Sequence, residues 1–160
     1  MILSARPARF AGVLLAALLA SLPAAAQAPT ARQIYPTVET SPAALQNAIA
    51  TAHRLHKRVL VDFGGDWCPD CQVLDIYAHQ KPNDELIKKY FVKVNINIGH
   101  IDANIDLAKR CGVDLHGVPA LAVLDGEGKV IFAQHNEFSD MRNMKSSDLT
   151  DFLNKWKPQS

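Results

Sequence analysis

Cysteine is scarce in this chain: three residues in 160. So few cannot build the multiply bridged scaffold of a small secreted domain. The chain must fold on an apolar core, and its length suits one domain with a short appendage. Charge of one sign is lacking too. Seventeen Lys and Arg against 16 Asp and Glu leave a formal charge of +1, which gives no electrostatic footprint for nucleic acid. A membrane-spanning run is missing, since the apolar stretch from Phe10 to Leu22 has about 13 residues, short of the ~20 that cross hydrocarbon. With 48% hydrophobic and 21% charged residues, wholesale disorder is excluded as well.

That apolar stretch follows Arg6 and Arg9, with no acid before it, and precedes Pro23 and Ala24 to Ala26. A basic start, an apolar centre and a small-residue end form the pattern of a secretory signal, cleaved after Ala26. An uncleaved anchor is the alternative, and the short run argues against it. No cysteine stands near the cleavage point to carry a lipid, and the two arginines are not adjacent as a twin-arginine signal requires. Cleavage takes Arg6 and Arg9 away and leaves 134 residues with 15 Lys and Arg against 16 Asp and Glu. All three cysteines remain. The expected location is the periplasm or another extracytoplasmic space, where thiols oxidise unless something reduces them.

Residues 27–40 contain two prolines and little periodicity, and read as a linker or extended arm. The domain is expected over residues 41–160. Ser41-Pro42 resembles a capped helix start, and Leu45, Ala48, Ile49, Ala52 and Leu55 recur at helical spacing, so a helix is predicted to His56. Val59 to Phe63 is a short apolar run of buried-strand type, closed by Gly64-Gly65. Helices are predicted from Pro69 to about His79, and again after Pro82-Asn83 to about Tyr90. Phe91 to Ile98 alternates as a strand, and Ala103 to Arg110 reads as a short helix closed by Gly112. Ala120 to Leu124 and Lys129 to Gln134 form a hairpin about Asp125-Gly126-Glu127-Gly128. His135 to Lys145 reads as polar and irregular. Its Phe138, Met141 and Met144 are expected to pack under a last helix capped by Ser146 or Ser147. A βαβ unit followed by a ββα unit gives an α/β fold, a small mixed sheet with helices on both faces.

Cys68 and Cys71 carry the chemistry. A C-x-x-C dithiol at a strand-to-helix junction lets two sulfurs close into a small ring and open again with little backbone movement. At the helix N-terminus, unpaired N–H groups and the dipole stabilise a thiolate, which makes Cys68 the expected nucleophile. Cys71, one turn inside, is expected to be the resolving thiol. A zinc site is the competing reading, but no second C-x-x-C or H-x₃₋₅-H pair accompanies this one, and His53 and His56 are expected in solvent on the preceding helix. An inert structural disulfide is the other, and a loop this small stabilises little.

The segment VLVDFGGDWCPDC resembles the active-site segment of the thioredoxin superfamily, and HGVPALAVLDGEGKV resembles its proline loop and hairpin. The resemblance spans about Ser41 to Lys157 and is closest to secreted bacterial thioredoxin-like proteins. It implies a thioredoxin fold with a redox-active Cys68–Cys71 disulfide and no other cofactor. It implies that Trp67 flanks the site and that Pro119 faces the dithiol through a cis bond. The backbone of Val118 is then open to pair with an extended substrate. It also implies that Asp62 lies buried behind Cys71 and takes its proton. Pro69 and Asp70, between the cysteines, are expected at the substrate surface. Asp70 also opposes a Cys68 thiolate, which favours a more reducing protein, unless it is only a helix-start acid.

Two residues stand outside this pattern. Cys111 is either a buried small hydrophobe or, on the sharper reading, a third redox thiol or an intermolecular bridge. His116 sits in a longer link than simple thioredoxins have, and either reaches Cys68 or stays in solvent. The leading expectation is an extracytoplasmic thiol-disulfide oxidoreductase acting as a monomer on protein disulfides and thiols, recharged by a membrane thiol donor. Reduction is the favoured direction on three grounds: Asp70, the Asp62 acid, and a resemblance to thioredoxin rather than to the oxidases, whose large helical insertion this chain has no room for. A disulfide oxidant, a soft-metal chaperone holding Cu(I) through the two thiolates and a non-catalytic binding module are the alternatives.

Overall fold

The computed structural model describes residues 32–134 and 137–159. The signal segment, residues 27–31 and His135 lie outside the described residues. Among the described residues, five α-helices and four strands follow in chain order: α1 (Ser41–Leu55), β1 (Arg58–Gly64), α2 (Pro69–Ala78), α3 (Asn83–Tyr90), β2 (Phe91–Asn97), α4 (Ile105–Arg110), β3 (Ala120–Leu124), β4 (Val130–Ala133) and α5 (Ser146–Trp156). The strands form one mixed sheet in the order β2-β1-β3-β4. β1 runs parallel to β2 and antiparallel to β3, and β3 pairs antiparallel with β4.

The alternation of side chains along β1 divides the core. Val59, Val61 and Phe63 face one layer with Leu45, Ala48 and Ala52 of α1 and Leu107 and Ala108 of α4. Leu60 faces the other with Leu74 and Ala78 of α2 and Leu149 and Leu153 of α5. Helices therefore cover both faces of the sheet, as the strand and helix order predicts. Phe138 and Met141 are buried in the α2–α5 layer, so this part of the irregular segment packs beneath the last helix.

Element ends differ where side chains are used elsewhere. Ser41 is the first residue of α1 rather than its cap, and its hydroxyl accepts the N–H of Asn97 from β2 at 3.1 Å. Leu55, placed on the apolar stripe by spacing, is 48% exposed at the last turn. α4 starts at Ile105, not Ala103, because Asn104 takes a left-handed conformation and its amide donates to the carbonyls of Val38 and Asn97. Neither serine caps α5. Asp148 instead accepts the N–H of Lys145 at 2.8 Å, while the carbonyl and hydroxyl of Ser146 accept from the buried Asn83 amide. Among the described residues no helix is long and apolar enough to cross a membrane.

Candidate active site

β1 ends in Gly64, and the next four residues turn the chain into α2. Cys68 takes an extended conformation at the N-cap of that helix, and its Sγ accepts the Cys71 N–H at 3.1 Å. A sulfur thus fills the place that a capping oxygen usually takes. Pro69 follows at the first helical position, where a missing N–H loses no bond. Cys68 and Cys71 are joined as a disulfide with Cα atoms 5.2 Å apart. Cys71 is fully buried and Cys68 nearly so.

The link before β3 brings the Val118 carbonyl within 3.5 Å of Cys68 Sγ. The Val118–Pro119 peptide is cis. Behind it, the buried Gln134 amide donates to the Pro119 carbonyl at 3.0 Å and accepts from the Leu121 N–H at 2.8 Å. Gln134 is not distinguishable as a site residue from sequence, because its partners lie 15 and 13 residues away across the hairpin.

Asp62 is fully buried in β1. Its Oδ1 accepts from the Tyr35 hydroxyl at 2.9 Å, and its Oδ2 lies 3.1 Å from Lys93 Nζ on β2. That second contact is an ion pair without hydrogen-bond alignment, since Oδ2 has no hydrogen-bond partner among the described residues. Lys93 also donates to Asn95 Oδ1. Burial, with the Asp62 charge behind it, pushes the Tyr35 hydroxyl well above its ordinary value of 10.0. Lys93 reaches the wall of an open groove of about 750 Å³ between the residues before α1 and the edge strand β2, lined also by Ile34, Asp75, His79 and Asn95. The buried acid therefore has a polar connection to solvent.

Trp67 is 44% exposed beside Cys68. Its Nε1 donates to the Gly99 carbonyl at 2.6 Å, and its ring stacks on His100 at 5.1 Å. The surface position expected of Asp70 is corrected. Its carboxylate is turned in, 7% exposed, and Oδ1 accepts both the backbone N–H of Arg142 at 2.9 Å and its Nε at 3.0 Å. The guanidinium offsets the charge that position alone sets against Cys68. Arg142, Tyr35, Lys93 and His100 all escape a reading of the sequence. Of these, only Lys93 carries a signal there, as a lone charge in an alternating strand.

His116 does not join the site. It is exposed and pairs with Asp114 at 3.1 Å. Cys111 is free and buried, and desolvation raises its thiol from 9.0 to about 11. Both observations favour the plainer readings of these residues. No group of three or more His, Cys, Asp or Glu able to hold a metal ion occurs among the described residues.

A family described as Thioredoxin-like matches residues 40–126. Among solved structures, the disulphide isomerase from Xylella fastidiosa Temecula1 is 32% identical, covers 78% of this chain and 96% of its own, and superposes with a TM-score of 0.72. A mutant thioredoxin from Halobacterium salinarum NRC-1 is 21% identical over 72% of this chain and 85% of its own, with a TM-score of 0.50. No curated protein sequence matches the chain.

Proposed function

The chain belongs to the Thioredoxin-like family, and from that premise we propose that it is an extracytoplasmic thiol-disulfide oxidoreductase that reduces protein disulfides. The observation that carries this reading is the placement of Cys68 Sγ at the cap of α2, bonded to Cys71 and 3.5 Å from the Val118 carbonyl. In the reduced protein, the Cys68 thiolate attacks one sulfur of a substrate disulfide and expels the other as a thiolate. A mixed disulfide links enzyme and substrate. Cys71 then loses its proton and attacks Cys68 Sγ, which releases the second substrate thiol and leaves Cys68–Cys71 oxidised. Two electrons pass to the substrate. A membrane thiol carrier restores the dithiol, and no cofactor beyond the cysteine pair takes part. The isomerase description of the Xylella relative fits the same opening attack, since isomerisation and reduction differ only in which thiol resolves the mixed disulfide.

The reductive direction draws support from Asp62, a buried acid in β1 with Lys93 leading to solvent. Asp70 supports it less than its position between the cysteines suggests, because Arg142 offsets its charge. The extracytoplasmic site rests on the basic, apolar and small-residue pattern of residues 1–26. Contact with an extended substrate strand is assigned to the Val118 backbone and the exposed Trp67 face.

Reduction of insulin disulfides with a dithiol donor tests the activity. Wild type accelerates it and Cys68→Ser does not, while Cys71→Ala holds substrates as mixed disulfides. No turnover by wild type, or unchanged turnover in Cys68→Ser, sinks the reading. A redox titration tests direction: a potential close to the about −120 mV of a strong oxidant, rather than the about −270 mV of thioredoxin, overturns the reductase assignment.

A further inference from the structure

We propose that Tyr35, carried in by the segment before α1, positions Asp62 and relays the proton of Cys71 to it. The inference rests on the oxidoreductase reading and concerns its second step.

Composition makes residues 27–40 a linker, yet the described part of that segment is tied into the site. Asp66, two residues before Cys68, accepts the N–H groups of Ile34 and Tyr35 on one oxygen at 2.7 and 3.0 Å. Asn95 and Asn97 of β2 donate to the carbonyls of Ile34 and Pro36 at 3.0 and 2.8 Å. Gln72 of α2 donates to the Arg32 carbonyl at 2.9 Å, and Arg32 pairs with Asp75. A bare linker has no use for this many partners. They hold Tyr35 at 2% exposure, with its hydroxyl 2.9 Å from Asp62 Oδ1.

The phenol and the dithiol both border Gly64. A Cβ placed on Gly64 would stand 2.7 Å from Tyr35 Cζ and 2.8 Å from Cys71 Sγ. Any larger residue there would wedge the phenol and the sulfur apart. Glycine leaves them as neighbours, with Asp62 bonded to the hydroxyl. The ring of groups facing Tyr35 is Asp62 from β1, Lys93 beyond it from β2, Asp66 from the loop and Cys71 from α2. β3 opposes Asp62 and Phe63 with only Leu121 and Ala120.

A hydroxyl is both donor and acceptor. When Cys71 carries its proton, the Tyr35 oxygen can accept it while passing its own proton to Asp62 Oδ1. The step ends with a Cys71 thiolate, a neutral tyrosine and a protonated Asp62. The thiolate then attacks Cys68 Sγ of the mixed disulfide and displaces the substrate thiol. Asp62 later returns the proton towards Lys93 and the groove. The raised pKa of the phenol agrees with this, because Tyr35 keeps its own proton between turnovers.

The test follows both thiol steps in one experiment. Reduced full-length protein is mixed with excess glutathione disulfide, quenched by alkylation, and resolved by mass between pH 5 and 9. In Tyr35→Phe, formation of the Cys68–glutathione mixed disulfide keeps its wild-type rate. Its decay by Cys71 slows about tenfold or more at pH 7, and the gap narrows as pH rises and hydroxide competes with the relay for the thiol proton. A decay profile that matches wild type overturns the proposal, and so does equal slowing of both steps at every pH. If Tyr35→Phe does not fold, the wild-type decay is measured in mixtures of H₂O and D₂O. At pH 7, a quadratic dependence of the rate on deuterium fraction, as two protons move together, supports the relay, and a linear dependence or an unchanged rate overturns it. Wild type that forms no mixed disulfide, or never resolves it, defeats the oxidoreductase reading itself.

Discussion

Arg142 clamps Asp70 through both its backbone N–H and its Nε, at 2.9 and 3.0 Å to a single carboxylate oxygen, across 72 residues of sequence. The carboxylate between the two cysteines is thereby turned from the surface, and its charge is set against a guanidinium. The clamp also fastens the short turn at Met141–Asn143 to the helix that bears the dithiol.

Removing the guanidinium leaves the Asp70 charge beside Cys68 uncompensated. The Cys68 thiolate is then less stable and the disulfide is favoured. Arg142→Gln is therefore expected to lower the potential of the Cys68–Cys71 couple, and Asp70→Asn to raise it. Arg142 is 63% exposed, so solvent screens the pair. The expected shift is about 20 mV or less, equivalent to an exposed pair worth under about 1 kcal/mol. Glutathione redox titration of the three proteins reads it. A higher potential in Arg142→Gln contradicts the sign.

Gln134 holds the backbone on both sides of Ala120, and so fixes Val118 beside Cys68. Gln134→Ala leaves the Pro119 carbonyl and the Leu121 N–H buried without this partner, at a cost of about 2–4 kcal/mol. The urea midpoint should fall accordingly. Insulin reduction should also fall at concentrations of urea where the protein stays folded. Gln134→Glu keeps an acceptor for Leu121 but buries a carboxylate against the Pro119 carbonyl, and should lose at least as much of both. An unchanged midpoint in Gln134→Ala removes the argument.

Cys111 supplies a pH dependence of stability. Its thiol sits at about 11 in the fold against 9.0 when unburied, because burial disfavours the thiolate. Between those values the unfolded chain sheds this proton and the folded one keeps it. The contribution is thus complete below pH 9 and is lost as pH rises towards 11. Tyr35, also raised, acts in the same direction at higher pH. Urea melts at pH 8 and 10.5 should show Cys111→Ala losing less midpoint than wild type. Equal losses count against it. The same burial predicts that native Cys111 ignores thiol reagents at pH 7 and reacts once the chain unfolds.

Much of the site is legible in the sequence because its signals are local. The C-x-x-C spacing, Pro69 behind Cys68 and the apolar run of β1 each involve residues a few positions apart, so composition and period expose them. Asp62 is marked as a lone acid inside that run. Trp67 is marked by adjacency to Cys68. Asp70 falls at the first turn of α2 as its position predicts, but it points inward rather than to the surface, because a helix position does not name the group that will meet it. Tyr35 leaves no trace, because a segment with two prolines and no period gives no hint of what it touches.

The sequence by itself determined the dithiol, the order of strands and helices, and the division of apolar residues that puts helices on both faces of the sheet. Each follows from spacing along the chain, where the period of a helix or strand dictates which side chains share a face. Only the tertiary structure decided the partners. Tyr35 meets Asp62 across 27 residues, Cys68 meets Val118 across 50, and Asp70 meets Arg142 across 72. These contacts depend on which strands pair, in what register, and on what each layer buries. A hydrogen bond needs its two atoms within about 3 Å, and only the packed sheet brings these residues that close.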